Sequence, residues 1–198
     1  MKNSGIFEAD FQTFLMIKIV PASSFEDLKG ILDLQLENHL HTLSAEEKES
    51  QGFVTVRHTL EQLEEMNKIA PHIIAKIEDE VVGYILAMTK ASRNLIQVLI
   101  PMFDQFDQII YQGKSVSDFD YMGVGQVCVG KEQRGKGLFD QLYQAYKNAY
   151  SEQYAFAITE IALSNHRSMA AHGRVGFEVI HEFEDETQRW GIVAWDWK

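Results

Sequence analysis

Apolar positions along this chain repeat with two periods, and the switches between them divide it into elements. Leu138, Leu142, Ala145, Tyr146 and Ala149 recur at three- and four-residue steps and predict a helix over 137–153. Helices are also predicted over 24–37 and 59–69, the second turning Leu60, Leu63 and Met66 inward. Each start carries a capping pair: Asp27 lies three residues after Ser24, and Gln62 three after Thr59. Ser44 with Glu47 repeats that signature and predicts a short helix before Gly52, and 165–175 reads as another. Strands are expected at 16–20, 73–77, 81–88, 123–129, 156–163, 177–183 and 191–197, where β-branched and apolar residues concentrate. Glu78, Asp79 and Glu80 make a charged turn, so 73–77 and 81–88 read as a hairpin, and the last two strands as another. The stretch 92–120 shows no clear period: an apolar run contains Pro101, and 113–120 reads as loop. Residues 1–14 look like an extension ahead of the first strand. The pattern implies a mixed α/β or α+β fold, in one domain over 1–198 with no internal repeat.

Composition narrows the function classes. The 198 residues are 45% apolar and 24% charged, ordinary for a globular chain, and the net charge is −11. Nucleic-acid binding runs on Lys and Arg neutralising phosphates, so a chain this acidic is a poor candidate for it, whereas cationic amines are tolerated partners. Cys128 is the only cysteine, which excludes an internal disulfide and a cysteine-based zinc site. No apolar run approaches the ~20 residues that span a bilayer. The first residues include Glu8 and Asp10 and lack a basic start with an apolar core. No signal peptide or membrane span is expected, and the cytoplasm is the default location.

The candidate chemistry sits where the strand Val127-Cys128-Val129 turns through 130–133 into Arg134-Gly135-Lys136-Gly137-Leu138-Phe139 and the helix. Glycines at a helix start let a ligand approach the backbone. The unpaired N–H groups of the first turn then face an anion, with the positive end of the helix dipole behind them. Arg134 and Lys136 add charge, and a diphosphate is the natural guest. The frame is neither a Walker loop nor a three-glycine dinucleotide fingerprint. A tight turn carrying two solvated basic residues is the other reading of the hexamer alone.

This unit resembles the cofactor motif of the GNAT superfamily of N-acetyltransferases, Gln/Arg-x-x-Gly-x-Gly/Ala after a Val-rich strand. Arg134 and Gly137 fill the first two specified positions, and Phe139 stands where Gly or Ala is preferred. A second block, Asn165 through a short helix to Gly176-Phe177, is similar to the family's later motif, and the resemblance extends over 73–197. It implies a GNAT-like fold, a twisted, mostly antiparallel sheet flanked by helices. It also implies acetyl-CoA as cosubstrate and a small-molecule or peptide amine as acceptor, in a direct transfer within a ternary complex. Under it, Val127, Cys128 and Val129 bind the pantetheine arm through their backbone. Arg134 and the segment from Gly135 through Lys136, Gly137, Leu138 and Phe139 to Asp140 cradle the pyrophosphate, and Asn165 contacts the arm. Glu160, five residues before Asn165, matches a general-base position in some relatives, or is an ordinary strand residue. His172 stands where many relatives carry a Tyr that protonates the thiolate, and acts in its place or packs the helix.

Cys128 invites covalent catalysis, though a lone strand cysteine is more often core. Glu37, His39, His41 and His58 admit a metal reading, against which stand helix-end solvation and an acceptor-pocket lining; no metal is expected. Trp195 and Trp197 alternate onto one face, for core or dimer packing, and a homodimer is compatible with the resemblance. The competing function is an acyl-CoA-binding regulatory module without turnover, which the residues at 139 and 172 favour. The acceptor and the acyl chain length are not specified by any motif.

Overall fold

A computed structural model describes residues 16–39, 41–42 and 54–198. The predicted helix at Ser44–Glu47 and the 1–14 extension lie outside the described residues. The elements in chain order are β1 (Ile17–Pro21), α1 (Phe25–Glu37), α2 (Leu60–Ile69), β2 (Ile73–Ile77), β3 (Glu80–Met88), α3 (Ile100–Phe106), β4 (Ile110–Tyr111), β5 (Lys114–Ser115), β6 (Met122–Val129), α4 (Leu138–Tyr150), β7 (Phe156–Ala162), α5 (His166–Val175), β8 (Glu178–Glu184) and β9 (Arg189–Asp196). Seven strands form one sheet in the order β1-β2-β3-β6-β7-β9-β8, and β4 with β5 forms a separate two-stranded ribbon. Every neighbouring pair in the large sheet is antiparallel except β6 with β7.

The capping pairs act as the sequence indicates. Ser24 Oγ accepts from Asp27 N–H (3.1 Å) while Asp27 Oδ2 accepts from Ser24 N–H (3.1 Å). Thr59 and Gln62 exchange the same two bonds at α2. Each cap contributes about 1 kcal/mol. The apolar faces then sort onto two sides of the sheet. Leu28, Ile31 and Leu34 of α1 and Leu63 and Met66 of α2 pack with Tyr84, Leu86, Ile158 and Ile192 on one face. Leu138, Leu142, Tyr143 and Tyr146 of α4 pack with Val82, Ile85, Val124 and Val193 on the other.

The stretch 92–120, which shows no period in the sequence, contains α3 with Pro101 in its first turn, where a missing N–H costs nothing. Its Phe103 and Phe106 are buried, and Phe106 meets Tyr121 edge-on at 5.9 Å. Ion pairs from Arg93 to Asp104 and Asp107 tie α3 to the turns before it. These contacts are tertiary, so a periodicity argument could not reach them.

One feature of the sheet positions the site. β6 and β7 are eight and seven residues long, yet they pair at two positions only, Met122 with Ala157 and Gly123 with Ile158. Just beyond, the β3–β6 register shifts between Leu86 and Ala87. The two parallel strands therefore part towards their C-terminal ends. The β7-facing edge of β6 past Gly123 is left without a ladder partner from β7.

Candidate active site

The cradle is built by two backbone choices. Gly135 (φ 75°) and Gly137 (φ 79°) both occupy the left-handed region, which a side chain at Cβ disfavours. A Cβ added at Gly135 would meet nothing within 4 Å, and at Gly137 only Gln141 Nε2 at 3.9 Å, so the space over the turn is open. The first helical bond of α4 runs from Gln141 N–H to Gly137 O (3.2 Å). The N–H groups of Leu138, Phe139 and Asp140 precede it and have no helical acceptor. A negative charge in the first turn, Asp140, is matched by the Arg174 guanidinium, with Nη2 to Oδ1 at 2.7 Å and Nε to Oδ2 at 3.1 Å.

From this turn a cleft of about 590 Å³ runs between the end of β6 and the α5 region. Val127, Cys128 and Val129 form one wall, and Asn165, Arg167, Ser168 and Arg174 of the α5 region another, while Asn38 and Val54 close the far side. Arg167 and Arg174 were missed in the sequence, although their separation by seven residues, two helical turns, puts them on one face. With them the cleft is basic in a chain of net charge −11. An open glycine turn, a helix start and an unpaired strand edge fit the diphosphate and the amide-bearing arm of acetyl-CoA.

The predicted binding residues do not all present side chains to that space. Leu138 is buried in the core, leaving its backbone alone for a ligand. Lys136 is exposed beside the cleft and outside its lining. Asn165 lines the cleft and caps α5, its Oδ1 accepting from Ser168 N–H (3.0 Å). The Phe139 ring packs 5.0 Å from Tyr143 and 5.3 Å from His172, so the residue that departs from the family pattern fills the seam between α4 and α5. Arg134 makes contacts within the protein. Its Nε donates to Val129 O (3.0 Å) and its Nη2 to Asn38 Oδ1, so its fork grips protein oxygens at the cleft wall.

Glu160 lies on β7 two residues past the last pairing with β6, opposite Ile192 of β9. Strand alternation gives it the α1 and α2 face, the face opposite α4. Burial raises its carboxyl to about 7, with Asp185 adding a smaller push in the same direction. Glu160 is not part of the cleft lining.

The surroundings of His172 bear on its two readings. It is buried (3% exposed), its Nδ1–H donates to the Ser168 carbonyl (2.8 Å), and its Nε2 accepts from Tyr143 O–H (2.7 Å). Burial lowers its pKa to about 4, so the ring is neutral with both nitrogens engaged. That geometry does not support the general-acid expectation and matches the packing alternative. Cys128 is likewise buried (6% exposed), and burial pushes its thiol up to about 12 despite the nearby Arg134 charge.

The His39 and His41 rings lie 5.1 Å apart. The His39 ring meets the Thr55 carbonyl at 3.1 Å and is buried, as is His58, whose Nδ1 meets Gln35 Nε2 at 2.9 Å. Solvation at a helix end therefore does not describe these two, whereas Glu37 and His41 are exposed. Among the described residues no group of three or more side chains could hold a metal ion. Gln126 of β6, which no sequence motif singles out, joins the Gln35–His58 pair. Its Oε1 accepts from Tyr84 (2.6 Å) and Gln35 (2.8 Å), and its Nε2 donates to Val56 O (3.0 Å).

A model of the Acetyltransferase (GNAT) family matches residues 34–177, from within α1 to Phe177. The chain belongs to the GNAT acetyltransferase family. It is thus an N-acetyltransferase with acetyl-CoA as cosubstrate, and the family match reaches back beyond the 73–197 of the sequence resemblance. No curated protein sequence matches this acetyltransferase. Solved structures share its fold. That of smu.2055 from Streptococcus mutans UA159 is 18% identical, with 90% of this chain and 98% of that one covered and a TM-score of 0.58. The ribosomal-protein-S18-alanine N-acetyltransferase of Escherichia coli is 10% identical, covering 91% and 94%, with a TM-score of 0.60. Salmonella typhimurium yncA, solved with its cofactor acetyl-CoA, is 15% identical, also covering 91% and 94%, with a TM-score of 0.60. No helix among the described residues is long and apolar enough to cross a membrane.

Proposed function

We propose that this acetyltransferase moves the acetyl group of acetyl-CoA directly to a primary amine, with both substrates bound at once and Glu160 as the base. The observation that carries the reading is the parting of β6 from β7 above the open Gly135–Gly137 turn. The turn and the first N–H groups of α4 hold the diphosphate, and Arg167 and Arg174 add charge to that end. The edge of Val127, Cys128 and Val129 holds the arm through its backbone, and one of its N–H groups donates to the acetyl carbonyl. Acetyl-CoA supplies an activated acyl thioester.

The acceptor enters from the α1 and α2 face, where Glu160 stands at the gap. An alkyl ammonium has a pKa of ~10 and must lose its proton before it can attack. A carboxylate poised at about 7 takes that proton, directly or through water. The negative charge of Asp185 near Glu160 favours a positively charged amine. Small polyamines and peptide N-termini are the acceptor classes to test, the second because a protein of similar fold acts on the alanine of ribosomal protein S18.

Calorimetric titration with acetyl-CoA tests the site. Micromolar binding is expected, falling at least a hundredfold in Gly135→Glu, which sets a carboxylate in the cradle and strains a positive φ. Acceptor-dependent release of CoA across an amine panel then tests transfer. Binding without release for any amine would leave an acyl-CoA-binding protein and remove the transfer claim.

A further inference from the structure

The first residue of the cofactor motif, Arg134, makes contacts that belong to positioning more than to phosphate recognition. Its Nε donates to the carbonyl of Val129, the last residue of β6, at 3.0 Å. Its Nη2 donates to Asn38 Oδ1. Asn38 is the C-cap of α1 and is buried (5% exposed). Its amide nitrogen donates to Leu34 O (2.8 Å), and its own carbonyl accepts from Val54 N–H (3.1 Å). A continuous chain of hydrogen bonds thus runs from the end of β6 through Arg134 and Asn38 into α1 and Val54. Asn38, Val54, Val129 and Arg134 all line the same cleft.

We propose that Arg134 is a positioning residue that fixes the α1 C-terminus and Val54 against the end of β6, holding the far wall of the cleft in register with the cofactor turn. The chemistry suits the task. A guanidinium is planar and always charged, and it presents donors in a rigid fork, so one side chain can hold a strand carbonyl and a side-chain amide oxygen together. Asn38 answers with the one oxygen of its amide, because its nitrogen is already committed to Leu34 O. Lysine, a single point donor, cannot replace that fork. The turn and the far wall come from segments about a hundred residues apart in sequence, and this bridge sets their separation.

The proposal rests on the reading of the cleft as the acetyl-CoA site, and the two are tested by separate measurements on the whole protein. Hydrogen exchange over 54–58, in the absence of acetyl-CoA, reads the bridge. Arg134→Gln and Asn38→Leu are each expected to speed that exchange about tenfold, with no further increase in the double variant. Asn38→Asp, which keeps an oxygen for the fork, restores wild-type protection, whereas Arg134→Lys does not. Calorimetry reads the cofactor, and the affinity of acetyl-CoA is expected to fall less than fivefold in either single variant. The proposal is overturned if Arg134→Gln weakens acetyl-CoA more than tenfold while exchange at 54–58 is unchanged, the behaviour of a phosphate ligand. It is equally overturned if Asn38→Leu leaves exchange at the wild-type rate. Failure of the wild type to bind acetyl-CoA would remove the cofactor reading and leave the exchange result to decide the bridge.

Discussion

Glu160 is half-buried and His172 fully buried, and in both burial disfavours the charged form, yet their surroundings leave them in different chemical states. Glu160 stands on β7 just past the point where that strand loses β6, and burial with a push from Asp185 raises it to about 7. His172 stands in the seam between α4 and α5, lowered to about 4 by burial, with Tyr143 bonded to one nitrogen and the Ser168 carbonyl to the other. A shifted pKa marks burial in both places. What separates them is whether neighbours have already consumed the polar atoms: both nitrogens of His172 are engaged, whereas Glu160 stands where β7 has lost β6.

The largest expected effect follows from that contrast. Glu160→Gln keeps size and removes the base, so kcat should fall about 10²–10³-fold, while calorimetry should find acetyl-CoA binding nearly unchanged. A kcat within threefold of wild type would return Glu160 to the standing of an ordinary strand residue.

The pH dependence sharpens the same point. In the wild type kcat should rise with pH through about 7 as Glu160 ionises, a limb that disappears in Glu160→Gln and persists in His172→Phe. Stability runs the other way. A carboxyl raised on folding binds its proton more tightly in the native state. Its contribution is therefore full below the ordinary carboxylate range and is lost as pH rises towards 7. Denaturant melts should find Glu160→Gln more stable than wild type by about 1–3 kcal/mol at pH 8 and equal to it at pH 4. Equal stability at both values would mean that Glu160 is better solvated than its position at the gap implies.

How far these regions were legible in the sequence follows from the kind of information each uses. The turn around Gly135 and Gly137 was readable because positive φ and an open cradle restrict residue type locally. The strands and α1, α2 and α4 were readable because burial imposes a period on consecutive residues. Arg134 was assigned to phosphate from its motif position, and nothing local announces that Asn38, ninety-six residues earlier, receives its guanidinium. The acid and packing readings of His172 stay side by side in the sequence for a similar reason: its partner Tyr143 lies twenty-nine residues away on α4. Arg167 and Arg174 were within reach of helical spacing and were overlooked. The parting of β6 from β7, which makes the site, is a property of register that neither strand's composition displays.

A smaller effect is expected at the seam. His172→Phe leaves the Tyr143 hydroxyl without its acceptor in the core and should cost about 1–3 kcal/mol, with kcat within threefold. The sign of its pH dependence is fixed by the lowered pKa. Neutral His172 contributes fully above about 6.5, and that contribution is lost as pH falls towards 4. His58 and His72 are lowered by burial in the same direction, to about 4 and about 3. The acid limb of a stability curve should therefore become shallower in the variant without vanishing. A kcat loss above thirtyfold, with a near-native melting temperature, would restore His172 to the chemistry.

The smallest effect belongs to Cys128, which shares the strand wall of the cleft but resembles the seam in its commitments. Burial pushes its thiol up to about 12, so at neutral pH essentially no thiolate is present to attack an acyl group. Cys128→Ala should leave kcat within twofold and cost about 1 kcal/mol, the loss of one small buried group. Double-reciprocal plots at several fixed amine concentrations should intersect, as direct transfer in a ternary complex requires. Parallel lines, with one acetyl mass retained on the wild type after acetyl-CoA treatment and absent from Cys128→Ala, would identify a covalent intermediate instead. That outcome would mean that acetyl-CoA binding exposes and ionises a thiol the protein alone keeps buried.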